Sequence, residues 1–295
     1  MSERPLAPVR GGWEVIIDLA LAEDLGGGDV TSLATIPVGA HAQATIIAKQ
    51  TGVLSGVDVA GAVFRRVNPM VRFEPRAADG QLLQPGDAVA VVDGLAQSLL
   101  AAERVALNLL QRLSGVATLT AAYVAAVEGT KARIVDTRKT TPGLRMMEKA
   151  AVRHGGGRNH RFNLTDGILI KDNHLAAVGG DGPERVARAV RLARERAPHP
   201  LRIEVEVTTL DELAEALAAN ADIVLLDNMD VRMLRRAVEL TANRALLEAS
   251  GGITLETVRA VAETGVDLIS VGALTHSAPA LDLSLEFALG VAPTK

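Results

Sequence analysis

The segment Lys131–His174 holds ten Lys or Arg against four acids, a formal +6, in a 295-residue chain whose net charge is −4. Within it, Arg138-Lys139, His160-Arg161 and Lys171 follow apolar runs or stand beside glycines, positions from which side chains reach a ligand. Guanidinium groups grip carboxylates and phosphates in bidentate fashion, and ammonium groups bind them as point charges. Lys131, Arg133, Lys149 and Arg153 read instead as ordinary solvated charge. Gly155-Gly156-Gly157 permits positive φ and close backbone approach, so with Asn159-His160-Arg161 directly after it this stretch reads as an anion loop. Ser250-Gly251-Gly252 and Gly272-Ala273 also follow apolar runs, where backbone N–H groups commonly hold a phosphate, and Thr254 reads as the N-cap of the next helix. Glu206 and Asp227 are open to more than one reading. They balance the nearby cations, form a Mg²⁺ or ribose-hydroxyl site, or stabilise a developing cation. The six His show neither HxH nor HExxH spacing, which disfavours a transition-metal site. Walker A, G-x-S-x-G and dinucleotide fingerprints are absent from the sequence.

These groups need a frame. From Lys131 onward apolar strand candidates (132–135, 167–170, 203–207, 223–226, 245–247 and 268–271) alternate with helical stretches (184–196, 210–219, 231–240 and 255–263). Continuous Ile, Val and Leu runs separated by helices imply a parallel sheet covered by helices. At the C-terminal ends stand Asp136-Thr137-Arg138-Lys139, Lys171-Asp172, Glu206, Asp227-Asn228, Glu248 with Ser250-Gly251-Gly252, and Gly272-Ala273. An open sheet uses only its switch point, whereas a barrel brings every strand end to one mouth. Six polar or glycine-bearing ends favour the barrel. Before it, residues 42–94 show short β-like runs, with turn signals at Pro85-Gly86-Asp87 and Asp93-Gly94 and a helix over 57–67, so a smaller α+β domain is expected. Residues 99–127 read as one or two long helices with a break at Ser114-Gly115.

Composition narrows the functions. With 48% apolar residues but only six aromatics, the chain lacks the stacking platforms that single-stranded nucleic acid requires, and its charge disfavours a polyanion binder. Zero cysteine excludes thiolate metal sites and thiol nucleophiles and fits a reducing cytoplasm. Met1–Gly12 has no apolar leader core and no stretch reaches membrane-spanning length, so a cytoplasmic protein with no membrane partner is expected.

Three stretches carry a resemblance: Asp136-Thr-Arg-Lys-Thr-Thr-Pro-Gly-Leu-Arg145, Gly155-Gly-Gly-Arg-Asn-His-Arg161 and Leu169-Ile-Lys-Asp-Asn-His174. With Glu23–Ser32, Ala102–Leu109, Glu204–Val207, Leu226–Asn228, Glu248–Ile253 and Val271–Ser277, they resemble the quinolinate phosphoribosyltransferase (nicotinate-nucleotide pyrophosphorylase, carboxylating) family over nearly the whole chain. The resemblance implies an α/β chain: an incomplete, TIM-like parallel barrel over 114–275 and an N-terminal α/β sandwich over 1–113, joined by the tail 276–295. It implies Mg²⁺-dependent transfer of phosphoribosyl from phosphoribosyl pyrophosphate to quinolinate with loss of CO₂, giving nicotinate mononucleotide. Carried over, Arg104, Arg138, His160, Arg161 and Lys171 hold the two carboxylates, with Arg104 reaching the partner's site in a homodimer or larger assembly. Lys139 serves the pyrophosphate side, beside Thr137. Glu206 and Asp227 serve the ribose and Mg²⁺, directly or through substrate and water. Ser250, Gly251, Gly252, Gly272 and Ala273 hold the 5′-phosphate, and His276 belongs to the same rim.

Overall fold

A computed structural model describes residues 12–180 and 182–288; the leader expectation for Met1–Gly11 falls outside them. The first elements are α1 (Glu14–Leu25), α2 (Val30–Thr35), β1 (His41–Ala48), β2 (Gly52–Val53), α3 (Val57–Val67), β3 (Arg72–Pro75), β4 (Leu82–Leu83), β5 (Ala88–Leu95) and α4 (Ala96–Ala126). Then follow β6 (Arg133–Val135), α5 (Arg145–His154), β7 (Ile168–Ile170), α6 (Asp172–Val178), α7 (Glu184–Arg196), β8 (Ile203–Val207) and α8 (Leu210–Ala218). The last are β9 (Ile223–Asp227), α9 (Val231–Thr241), β10 (Leu246–Ser250), α10 (Val258–Ala262), β11 (Leu268–Ser270), α11 (Ala273–His276) and β12 (Leu283–Phe287). Among the described residues no helix is long and apolar enough to cross a membrane.

Two compact units emerge. The first contains residues up to Thr118, Thr141–Gly155 and the tail from Ala278. Its antiparallel sheet runs β12-β1-β5-β3, so the tail strand completes it, pairing Ala48 with Leu283 and Ala44 with Phe287. Beside the sheet α3 buries Val59, Ala60, Val63 and Phe64, the apolar stripe of an amphipathic helix. The unit boundaries fall at 118/119 and 277/278, slightly beyond the expected 113/114 and 275/276, and Thr141–Gly155 groups here rather than with the barrel. The reason is Glu148 of α5. Its fully buried carboxylate accepts from Arg112 Nη2 of α4 at 2.9 Å and from Thr141 Oγ1 at 2.8 Å.

The break expected at Ser114-Gly115 does not occur, and α4 is continuous. A Cβ on Gly115 would lie 1.9 Å from the Pro279 carbonyl oxygen, so this glycine serves close contact with the tail. Ser114 accepts from the Ser55 N–H at 3.0 Å, a role that leaves the helix intact.

The second unit contains Leu119–Thr140 and Gly156–Ser277. Its six strands are all parallel in the order β6-β11-β10-β9-β8-β7, a barrel left open between β6 and β7. Each strand matches a sequence candidate, and α7 has the expected bounds. Arg158 forms a bridge beside Val135, so the glycine loop lines the β6 side of the opening. Thr254 is not a side-chain N-cap. Regular helix begins at Val258 after a turn, with Thr254 supplying its carbonyl to Val258 N.

Candidate active site

The period of a strand decides what the barrel interior receives, because alternate residues share a face. On β8, Ile203, Val205 and Val207 are buried on one face while Glu204 and Glu206 share the other. The same alternation pairs Leu169 with Lys171, Leu225 with Asp227, Glu248 with Ser250, and Ser270 with Gly272. Register then sets both Glu206 and Glu248 opposite Leu225 on the strand between them. Those faces surround a cavity of about 880 Å³.

Thr137, Arg138, Lys139, His160, Arg161, Lys171, Glu206, Asp227, Ser250, Gly251, Gly252, Gly272, Ala273 and His276 all line it, so fourteen of the fifteen expected residues come together. Arg104 does not. It is exposed on α4, in the first unit. Glu248 also lines the cavity, with buried Glu204 next to it; the period-two rule, counting back from Ser250 and from Glu206, is the sequence signal that finds both.

The lining is polarised rather than uniformly basic. Arg138, Lys139, Arg161 and Lys171 come from β6, the glycine loop and β7, the elements that flank the barrel opening, with Asp172 as the one acid among them. Glu206, Asp227 and Glu248 come from β8, β9 and β10, away from it. Burial, followed by the nearby Arg138 charge, holds Arg161 below the usual guanidinium range. Two guanidinium charges that act on one another in a cavity favour a bound anion there. Lys171 Nζ meets Glu206 Oε2 at 2.6 Å, and its backbone N–H donates to His174 Nδ1 at 2.9 Å, fixing the end of β7.

The glycine loop is held from below. Asp136 is fully buried and accepts from the His160 backbone N–H at 2.9 Å and from the Asn159 amide. The Arg161 backbone N–H donates to His160 Nδ1 at 2.7 Å, which leaves the ring proton on Nε2, facing Glu204 Oε2 at 3.1 Å. Burial works against a charged His160, but the hydrogen bond and charge of Glu204 and the charge of Glu248 outweigh it and raise its pKa. A second proton would have to displace the Arg161 N–H, so the hydrogen-bond geometry is that of the neutral ring. Both nitrogens are thus engaged within the protein, and His160 braces the loop instead of presenting a free N–H to a carboxylate.

His160, Glu204 and Glu248 also set three ligand-type atoms within 4.8 Å of one another, a cluster that no spacing motif revealed. A proton on Nε2 leaves no lone pair there for a metal. The acids are buried, Glu204 at 4% and Glu248 at 1% exposure, and neither Glu248 oxygen has a hydrogen-bond partner. Burial, then the charge of Glu204, pushes the Glu248 carboxyl up to about 7 against the pull of His160, the Ser270 hydroxyl and Lys171.

At the ends of β10 and β11 the glycines are shaped by contact. Gly251 has φ +96°, and a Cβ there would stand 2.2 Å from Asn228 Oδ1. A Cβ on Gly272 would lie 3.1 Å from Lys139 Cδ and 3.2 Å from His276 Nε2, so the lysine stem lies against this glycine. Thr275, fully buried, donates its hydroxyl to the Lys139 carbonyl at 2.7 Å. The β6 loop is thereby tied to the turn after β11.

Comparison with known proteins gives the following. Residues 29–114 match the model of the quinolinate phosphoribosyl transferase N-terminal domain, and residues 116–286 match that of its C-terminal domain. A probable nicotinate-nucleotide pyrophosphorylase [carboxylating] of Bacillus subtilis is 45% identical over 267 residues, covering 90% of each chain. The nicotinate-nucleotide pyrophosphorylase [carboxylating] of Mycobacterium leprae is 47% identical over 273 residues, covering 90% of this chain and 94% of that protein. The crystal structure of NadC from Streptococcus pyogenes superposes with a TM-score of 0.88 at 42% identity, covering 97% of this chain and 99% of that one.

Proposed function

The chain belongs to the quinolinate phosphoribosyl transferase family, and from that premise we propose that it transfers phosphoribosyl from phosphoribosyl pyrophosphate to quinolinate in NAD biosynthesis. The observation that carries this reading is the polarity of the cavity. Cations on one side suit a dicarboxylate, and acids on the other suit a sugar carbon that gains positive charge.

The ring nitrogen's lone pair forms a bond to the anomeric carbon as the bond from that carbon to pyrophosphate breaks, its electrons leaving on pyrophosphate. The ring is then a pyridinium. Its 2-carboxylate departs as CO₂, the electron pair stays on the ring carbon, and that carbon takes a proton from solvent. The product is nicotinate mononucleotide. A pyridine nitrogen carries no proton at neutral pH, so no general base is needed.

Arg138, Arg161 and Lys171 hold the two carboxylates, joined by Arg104 of the partner subunit in a cytoplasmic homodimer. His160 braces Arg161. Lys139, its carbonyl fixed by Thr275, offsets charge on the departing pyrophosphate beside Thr137. Ser250, Gly251, Gly252, Gly272 and Ala273 receive the 5′-phosphate, with His276 at their edge. Glu206 and Asp227 face the ribosyl carbon. They are hard oxygen donors lining the cavity and fit Mg²⁺ held chiefly through substrate oxygens and water. Bound there, Mg²⁺ supplies positive charge to the leaving pyrophosphate.

The test is incubation of the purified chain with Mg²⁺, phosphoribosyl pyrophosphate and quinolinate labelled at the 2-carboxylate, with nicotinate in parallel. Labelled CO₂ from quinolinate and no nucleotide from nicotinate are expected. Quinolinate binding without CO₂ release by the folded protein would refute the reading and leave an anion-binding protein.

A further inference from the structure

Glu248 is a lining residue to which the proposed reaction gives no work. It sits on β10 two residues before Ser250, on the interior face, almost completely buried, and neither carboxylate oxygen has a hydrogen-bond partner. The nearest cationic-type atom, His160 Nε2, is 3.6 Å away and already faces Glu204 at 3.1 Å. A buried carboxylate that shares its one close imidazole with Glu204 and has only the Ser270 hydroxyl beside it is costly, and a binding site for a dianion is a poor place for one unless its charge acts on a later state.

We infer that Glu248 sets the electrostatic difference between bound quinolinate and the ribosylated ring, repelling the dianion and favouring the ring once its nitrogen becomes cationic. The inference rests on the proposed reaction and deepens it. Quinolinate carries two negative charges and a neutral ring. As the N–C bond forms and pyrophosphate leaves with its electron pair, positive charge appears on the anomeric carbon and then on the ring nitrogen, inside a cavity walled by Glu248. A fixed negative charge that disfavours the reactant and favours the transition state accelerates the step at the expense of binding. His160 Nε2 lies nearer Glu204, at 3.1 Å, than Glu248, at 3.6 Å, so the imidazole is shared and offsets the Glu248 charge only in part.

This predicts a split that a structural role would not produce. Glu248→Gln keeps the shape and removes the charge. Measured at pH 8 on the full chain, its quinolinate dissociation constant should fall about tenfold, while single-turnover CO₂ release with saturating phosphoribosyl pyrophosphate should slow about tenfold. Single turnover excludes product release from the rate. Glu248→Asp retains the charge and should lie closer to wild type than Glu248→Gln in both measurements. Weaker or unchanged quinolinate binding by Glu248→Gln, or an unchanged rate, overturns the inference; so does Glu248→Asp behaving like Glu248→Gln, since shape would then matter and charge would not. Wild-type protein that neither binds quinolinate nor releases CO₂ would instead remove the proposed reaction, and the two failures are therefore distinguishable.

Discussion

Removing the Glu248 charge should also stabilise the fold, by an amount that depends on pH. The carboxyl is pushed from an ordinary 4.5 up to about 7 in the folded chain by burial and by the charge of Glu204. Between those values the folded state binds a proton that the unfolded state has lost. Stability contributed by this group is therefore fully present below pH 4.5 and declines as pH rises through 7. A difference of about 2.5 pH units at 1.36 kcal/mol each gives about 3 kcal/mol, withdrawn from wild type by pH 8. Glu248→Gln has no such proton to lose. Urea denaturation followed by circular dichroism at pH 5, 6, 7 and 8 should show the variant's advantage growing from about 1 to about 3 kcal/mol. An advantage that is constant across this range, or a variant less stable at pH 8, would show that Glu248 does not carry a buried, uncompensated charge.

Four further outcomes follow from contacts already described. Gly115→Ala would drive a Cβ to 1.9 Å from Pro279 O, so a loss of more than about 3 kcal/mol, read as a lower Tm, is expected. Gly251→Ala combines a positive φ with a Cβ 2.2 Å from Asn228 Oδ1; it should raise the KM for phosphoribosyl pyrophosphate at least about tenfold with little change in quinolinate binding. Thr275→Val frees the Lys139 carbonyl and should lower kcat about tenfold, whereas Thr275→Ser should restore most of it. Mixing inactive Arg104→Ala and Lys171→Ala chains should regain activity at one of two sites if Arg104 acts across a dimer, and none if it acts within its own chain.

The strands were legible because short runs rich in Ile, Val and Leu and bounded by charge or glycine have few alternatives in a parallel sheet, and all six strands of the second unit came out close to their expected places. Ser114-Gly115 misled for a specific reason. Glycine lowers helix propensity wherever it stands, and only the approach of Pro279, 164 residues away in sequence, shows that this one is needed for contact and not for a break. The grouping of Thr141–Gly155 with the first unit rests likewise on a distant partner, Arg112, that no local pattern exposes. His160 was legible as a site residue but not in its role, because tautomer and hydrogen-bond direction are set by Arg161 N–H and Glu204 together.

The net charge of the chain hides a division of labour that the open barrel makes intelligible. Between β6 and β7 no strand closes the barrel, and the cavity there is lined by Thr137, Arg138, Lys139, His160, Arg161 and Lys171, all from the barrel unit's share of the Lys131–His174 segment. Cations concentrate where loops rather than strands form the wall, and loops supply the reach that a guanidinium needs to close on a carboxylate. The acids stand instead on β8, β9 and β10, where the sheet fixes their spacing and their distance from the cations. That placement orients an anionic ring toward the opening and the reacting bond toward the rigid wall, so charge that develops during transfer meets groups that do not have to move. A substrate bound the other way round would set carboxylates against Glu206, Asp227 and Glu248 and leave Arg138 and Arg161 crowding one another. The fold therefore selects an orientation as well as a ligand, and it does so with a chain whose total charge is close to neutral.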